Sequence, residues 1–285
     1  VTCLGLAVAA ALAAAEVRLQ PATARPGDPV LVHVTGSSRP PAGRLGADEL
    51  TFLPYRQGHL ALIGLPVERA TGPLPAELTL ADEGGPRAVR GSVTVGPAGF
   101  RRRRLTVSSR FTRISKKDRQ RSADDSRAFA EAFDRDFEPW RFTEGFAWPI
   151  ASEVTAPFGD VRLLNGRKKS QHFGLDLDGE VGDPVAASND GEVVLVRDCF
   201  ASGNTVLVHH GGRLFTAYFH LSAVDVTQGQ VVRRGQRLGR VGKTGRVTGP
   251  HLHWGVKLDG RWINGAALVA LDLGGPPTPA ADAGR

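Results

Sequence analysis

Two histidines flank a leucine at His251-Leu252-His253, and some eighty residues earlier His172 and Asp176 stand four apart. A β-strand puts residues i and i+2 on one face, so each segment would gather metal-compatible side chains on one side. In the run from Gln171 to Asp178, His172, Gly174, Asp176 and Asp178 alternate with Phe173, Leu175 and Leu177. A straight strand holds residues four apart at about 13 Å, too far to share an ion. Gly174, midway, is where the backbone is expected to bend and bring His172 to Asp176. In the later segment His251, His253 and Gly255 share one face and Leu252, Trp254 and Val256 the other. A third segment, Tyr218-Phe219-His220, would put Tyr218 and His220 on one face of another strand.

Zinc accepts imidazole nitrogen and carboxylate oxygen, and three protein ligands leave a fourth tetrahedral position for water. His172, Asp176 and one histidine of the later pair supply such a set for a single ion. Water held there is acidified toward neutrality and a carbonyl is polarised, which suits peptide or amide hydrolysis. No His-Glu-x-x-His run offers a glutamate base, so a remaining histidine is expected to exchange the proton and another to hydrogen-bond the developing oxyanion. Asp178 shares the polar face and is the competing carboxylate. His33 and His59 have no second ligand nearby in sequence and read as structural, while His209 and His210 precede the Gly211-Gly212 turn, with His210 at the hairpin end.

The elements that must position these residues are β-strands. With 35 Gly and 19 Pro in 285 residues, short runs of Val, Leu and Phe between glycine turns favour strands over a helical bundle. The expected fold is all-β: an antiparallel two-layer catalytic β domain preceded by a small β-sandwich-like domain and a helical linker. Residues 16–110 read as the accessory β domain, with strand pieces at 17–19, 30–34, 50–53, 78–80 and 93–95. Residues 111–147 read as a basic linker in which 119–137 forms a helix, because Phe129, Phe133 and Phe137 recur every four residues before Pro139. Trp140, Phe142, Phe146 and Trp148 then form an arm laid on a domain surface. Residues 148–273 hold the catalytic strands, at 185–187, 191–197, 205–209, 214–220, 231–232, 237–241 and 251–258. Residues 274–285 read as a disordered tail.

Lys and Arg exceed Asp and Glu by 36 − 29 = 7, with much of the excess in Arg101–Arg104 and from Arg110 to Arg121. Such a basic segment could attract acidic cell-envelope polymers. No recognition helix or aromatic-interleaved motif accompanies it, so nucleic acid is not an expected partner. Residues 1–15 are small and apolar and resemble the remnant of a signal peptide, which points to export to the periplasm, cell envelope or exterior. No stable membrane span is visible, the apolar stretch being too short. Cys3 would leave with the signal, and Cys199 reads as a small buried hydrophobe.

Taken in order, Pro157-Phe158-Gly159, His172-Phe173-Gly174-Leu175-Asp176, Gly203-Asn204-Thr205-Val206, Tyr218-Phe219-His220-Leu221, Gly235-Gln236-Arg237-Leu238-Gly239, Gly242-Lys243-Thr244-Gly245 and Gly249-Pro250-His251-Leu252-His253-Trp254 resemble the lysostaphin/LytM-type zinc metalloendopeptidases, murein hydrolases with a duplicated-hybrid-motif-like fold. The likeness runs over about 100 of the 285 residues. It implies that His172, Asp176 and His253 bind one Zn2+ and that His220 and His251 are the catalytic pair, with His251 as base. It implies peptidoglycan stem peptides or cross-bridges as substrate, with a non-catalytic, wall-binding activator of a separate amidase as the alternative. Arg162 stands where many relatives carry a basic residue.

Overall fold

The computed structural model describes residues 15–37, 39–82, 85–106, 115–166 and 168–274. The signal-like opening to residue 14, the tail from 275 and part of the basic segment, 107–114, lie outside the described residues. The architecture is predominantly β, with two sheet clusters separated by a helical segment.

The first cluster is a sandwich. A four-stranded sheet runs in the order Glu16–Gln20, Pro29–Thr35, Gly58–Gly64, Leu53–Tyr55, and faces a second sheet ordered Thr23–Ala24, Gly85–Val95, Gly72–Asp82, Ala42–Leu45, Asp48–Glu49. Val30, Val32 and Val34 point between the sheets and pack with Leu45, Leu74, Leu78, Leu80 and Val93. Leu31, Leu60 and Leu62 point the other way and join the core of the second cluster. Burial on both faces explains why Pro29–Thr35 reads as a continuous apolar run. The Gly58–Gly64 strand, GHLALIG, escaped the expected set because it is apolar without alternation.

The second cluster is built on a large antiparallel sheet ordered Val154–Ala156, Leu175–Leu177, Leu252–Leu258, Leu214–Leu221, Gly203–His209, Gly191–Cys199, Val231–Val232, with Arg261–Ile263 also paired to Leu252–Leu258. A smaller sheet of Pro184–Ala186, Arg237–Arg240 and Ala223–Val224 lies over one end. Between these layers Val185, Leu238, Leu177, Leu252, Trp254 and Val256 are almost wholly buried. Phe142 and Phe146 of the aromatic arm are buried in the same core, and Trp140 Nε1–H donates to the Leu60 carbonyl at 3.3 Å, so the arm is glued into the seam between the clusters.

Two features depart from the sequence-based expectation. Helix α1 spans Lys116–Phe133 and stops short of Phe137. Ser115 caps its start by accepting the Asp118 N–H. Phe129 and Phe133 form the expected stripe, but Phe137 is 38% exposed in the chain beyond, under the Arg213 guanidinium. The stripe lies on the outer face of the large sheet, against Leu207, Phe215, Ala217 and Phe219. The second departure is parallel pairing: Arg102–Leu105 runs parallel to Val161–Leu164, which pairs with Lys168–Gln171. A strand inside the accessory unit's expected bounds therefore extends a hairpin of the second cluster.

Candidate active site and metal centre

The expected bend lies between the strands Lys168–Gln171 and Leu175–Leu177, so His172 and Asp176 meet instead of standing 13 Å apart. His172 Nε2 is 2.9 Å from Asp176 Oδ1. Leu175–Leu177 pairs antiparallel with Leu252–Leu258, with Asp176 directly opposite His253. That register brings His253 Nδ1 to 2.8 Å from Asp176 Oδ1 and 3.1 Å from His172 Nε2. Gly174 serves the bend differently from what was expected. Its φ is not among the left-handed values, but a Cβ there would come within 2.6 Å of His253 Cε1 and 2.9 Å of the Trp254 carbonyl oxygen. The position needs space for the third ligand more than backbone freedom.

The donor set fits a cation. His172 Nδ1 lies 2.9 Å from the Pro157 carbonyl oxygen, which can only accept, so Nδ1 carries the proton and neutral His172 presents a lone pair at Nε2. That lone pair faces the Asp176 oxygen and His253 Nδ1, and three electron-rich atoms so close repel unless a positive charge lies among them. His172, Asp176 and His253 are the group of side chains that could hold a metal among the described residues. Two nitrogens and one carboxylate oxygen suit a single divalent ion such as zinc. Burial would raise the Asp176 pKa, but positive charge on the adjoining imidazoles would outweigh it and hold the carboxyl well below the usual carboxylate range. Its second oxygen accepts from Arg162 Nη2 at 3.2 Å.

His220 and His251 stand beside the triad, with ring centroids 5.1 Å apart. His251 Nδ1–H donates to the Gly249 carbonyl at 3.0 Å, which leaves Nε2 as an acceptor 3.7 Å from Asp176 Oδ1. His220 Nδ1–H likewise donates to the Thr244 carbonyl at 3.0 Å and keeps Nε2 available. Burial pulls the His220 pKa down to about 4, assisted by the neighbouring His253 and His251.

His220 corrects the strand-parity argument. Its φ of 65° is left-handed, which breaks the alternation, and Tyr218 and His220 do not act on one face. The Tyr218 hydroxyl is buried, accepting from Ser188 N–H at 2.9 Å, while His220 turns toward His251. Phe219, opposite His253 in register, stacks on that imidazole at 5.3 Å and meets Phe129 of α1 edge-on at 6.1 Å. The helix thus backs a metal ligand through one intervening ring.

The other candidates lie elsewhere. Asp178 is outside the triad, its N–H donating to the Glu153 carbonyl. His209 and His210 are fully buried; His209 stacks on Phe215, and His210 is held by the Asp190 carbonyl and Thr216 Oγ1 at 2.6 and 2.8 Å. His33 packs edge-on against Tyr55, and His59 lies on the adjacent strand. Cys199 is buried with its thiol pKa pushed up by burial. Among the described residues no helix is long and apolar enough to cross a membrane.

With this geometry established, the comparisons with known proteins become specific. Residues 170–265, about a third of the chain, match the model of peptidase family M23, and this segment is related to the lysostaphin/LytM-type zinc metalloendopeptidases. It is 46% identical over 120 residues to the peptidoglycan DD-endopeptidase ShyA of Vibrio cholerae, covering 41% of this chain and 28% of that one. It is 41% identical over 130 residues to the DD-carboxypeptidase/endopeptidase Mpg of Neisseria meningitidis, covering 46% and 29%. The chain thus spans under a third of the length of these curated relatives. A crystal structure of a Pseudomonas aeruginosa protein assigned to the M23 peptidases superposes with a TM-score of 0.63 at 28% identity, over 86% of this chain and 94% of that one. This likeness extends well beyond the family match into the sandwich and the arm.

Proposed function

We propose that the chain is an exported zinc-dependent endopeptidase that hydrolyses peptide bonds in peptidoglycan stem peptides or cross-bridges. The observation that carries the reading is the convergence of His172, Asp176 and His253 with two further histidines whose Nδ1–H groups are fixed by carbonyls. The activities for which the Vibrio and Neisseria relatives are named support the substrate class. His172, Asp176 and His253 would hold a zinc ion, which would supply Lewis acidity toward a carbonyl and lower the pKa of water.

The protein's own groups do the rest. His251 accepts a proton at Nε2 and returns it to the leaving amine, and low proton affinity at His220 keeps that ring neutral near pH 7. With its Nδ1–H held by the Thr244 carbonyl, neutral His220 presents Nε2 as a second acceptor beside the scissile bond, and it would donate to a developing oxyanion only after taking up a proton there. Arg162 holds the free Asp176 oxygen, so the other faces the two imidazoles. In this reading residues 148–273 form the catalytic unit, 111–147 the linker and 16–110 an accessory unit, and the basic segment draws the chain to acidic envelope polymers. A non-catalytic activator would need no pair of ring nitrogens kept free beside the triad.

The test is digestion of sacculi and cross-linked muropeptides with zinc-loaded protein, followed by mass spectrometry. New amine and carboxyl termini at a peptide bond are expected, and they should vanish in His253→Ala. Intact muropeptides after prolonged digestion would contradict the reading.

A further inference from the structure

The chain leaving the sandwich does not run free to α1; residues 100–105 grip the loop that carries the first metal ligand. Gly159 sits at φ +85°, and a Cβ there would overlap the Phe100 ring, so the phenyl lies directly on the loop backbone. Arg101 donates from Nε and Nη2 to the two oxygens of Asp160, both at 3.1 Å, and Arg103 Nε lies 3.4 Å from Oδ2. Asp160 is 1% exposed, so its buried carboxylate relies on these guanidinium groups. The Arg101 carbonyl accepts the Val161 N–H at 2.8 Å and opens the parallel pairing with Val161–Leu164.

The grip reaches the metal site through two short links. The Asp160 carbonyl accepts the His172 N–H at 2.9 Å, and the Gly159 N–H donates to the His172 carbonyl at 2.8 Å. Pro157, whose carbonyl fixes the His172 tautomer, and Arg162, which holds Asp176, sit on either side of this ladder. The main-chain groups that bond His172, the Pro157 and Asp160 carbonyls and the Gly159 N–H, thus belong to the loop Arg101 fastens, while Arg101 itself lies outside the matched family segment of residues 170–265.

We propose that Arg101 is a positioning residue of the metal centre, acting through Asp160 on the main chain of His172. The chain upstream of the catalytic unit thereby sets the affinity of the site for its ion. The inference rests on the reading of His172, Asp176 and His253 as metal ligands. Arg101 touches neither substrate nor ion.

The experiment uses the full chain with Arg101→Ala, Arg101→Lys and, as a control on the exposed Arg104, Arg104→Ala. Zinc affinity is measured by competition with a chromophoric chelator, and the cobalt-loaded forms are compared by visible absorption. Outer-shell partners of metal ligands are typically worth 10- to 100-fold in affinity, so Arg101→Ala is expected to weaken zinc binding by about 10-fold or more and to alter the cobalt spectrum. Arg101→Lys should fall between, because lysine keeps the charge without the two-point fork, and it carries the test if the alanine variant does not fold. Arg104→Ala should match the unaltered chain. A lower unfolding temperature with unchanged zinc affinity and cobalt spectrum would overturn the proposal, leaving Arg101 merely structural. Failure of the unaltered chain to bind zinc would instead overturn the metal site itself.

Discussion

Replacing Gly174 by alanine tests the geometry of the site with a single methyl group. The new Cβ would stand 2.6 Å from His253 Cε1 and closer still to Nε2, whereas ordinary contact begins near 3.4 Å, so the ring must retreat by at least 3.4 − 2.6 = 0.8 Å. Metal–ligand distances tolerate only about 0.2 Å. The backbone cannot absorb the shift cheaply, because Leu252–Leu258 is paired on both sides and the Trp254 carbonyl oxygen is itself 2.9 Å from the new atom. Nor can the ring slide freely, since Phe219 stacks on it. Overpacking of this kind costs about 1–3 kcal/mol. Gly174 is not in a left-handed conformation, so on backbone grounds alone alanine should stabilise the fold by about 0.4–1 kcal/mol. The expected result is therefore a net loss of stability in urea titrations, with zinc affinity reduced by at least about 10-fold in chelator competition. A Gly174→Ala protein at least as stable as the parent, binding zinc equally well, would refute the space argument.

Three further outcomes are expected. His251→Ala should keep zinc stoichiometry while turnover of cross-linked muropeptides falls by about 10²- to 10⁴-fold, the usual range for a lost general acid–base; unchanged turnover would remove His251 from the proton transfer. Burial depresses the pKa of His209 to about 4 and of His210 to about 3 from 6.5, so the unfolded chain binds more protons over this interval. Stability should therefore fall as pH drops from about 6.5 toward 4, by about 3 kcal/mol for His210 at 1.36 kcal/mol per pKa unit, and a His210→Gln variant should show a visibly shallower loss. Asp125, 5% exposed on α1, accepts from Arg197 Nε and from the Phe200 N–H, both at 2.7 Å. Asp125→Ala removes both bonds but leaves Arg197, 38% exposed, to water, so the cost should be about 1–2 kcal/mol in denaturant unfolding, a value near zero showing that the aromatic stripe alone docks the helix.

Most of the ligand set was legible because its chemistry is local: His172-x-Gly-x-Asp176 and His251-x-His253 carry the donors, but strand parity puts His251 and His253 on one face and does not choose between them, and the choice of His253 came from the family resemblance. Parity failed at His220 because one left-handed φ is enough to turn a side chain over, and nothing in Tyr218-Phe219-His220 announces it. The carbonyls of Pro157, Thr244 and Gly249 that fix the imidazole tautomers are backbone groups and leave no mark on residue type. The stripe Phe129–Phe133 marked α1 correctly, whereas Phe137 extended the period by coincidence after the helix had ended. Arg101–Arg104 read as a charge run; its pairing to Val161–Leu164 spans some sixty residues and depends on Asp160, which looks like an ordinary turn aspartate in sequence.

The most direct measurement is the crystal structure of the zinc-loaded protein with data collected at the zinc absorption edge. One anomalous peak is expected within bonding distance of His172 Nε2, Asp176 Oδ1 and His253 Nδ1, about 2.0–2.2 Å from each, with a solvent molecule completing the tetrahedron. A peak elsewhere, or one closed off by a fourth protein atom such as His251 Nε2, would contradict the account.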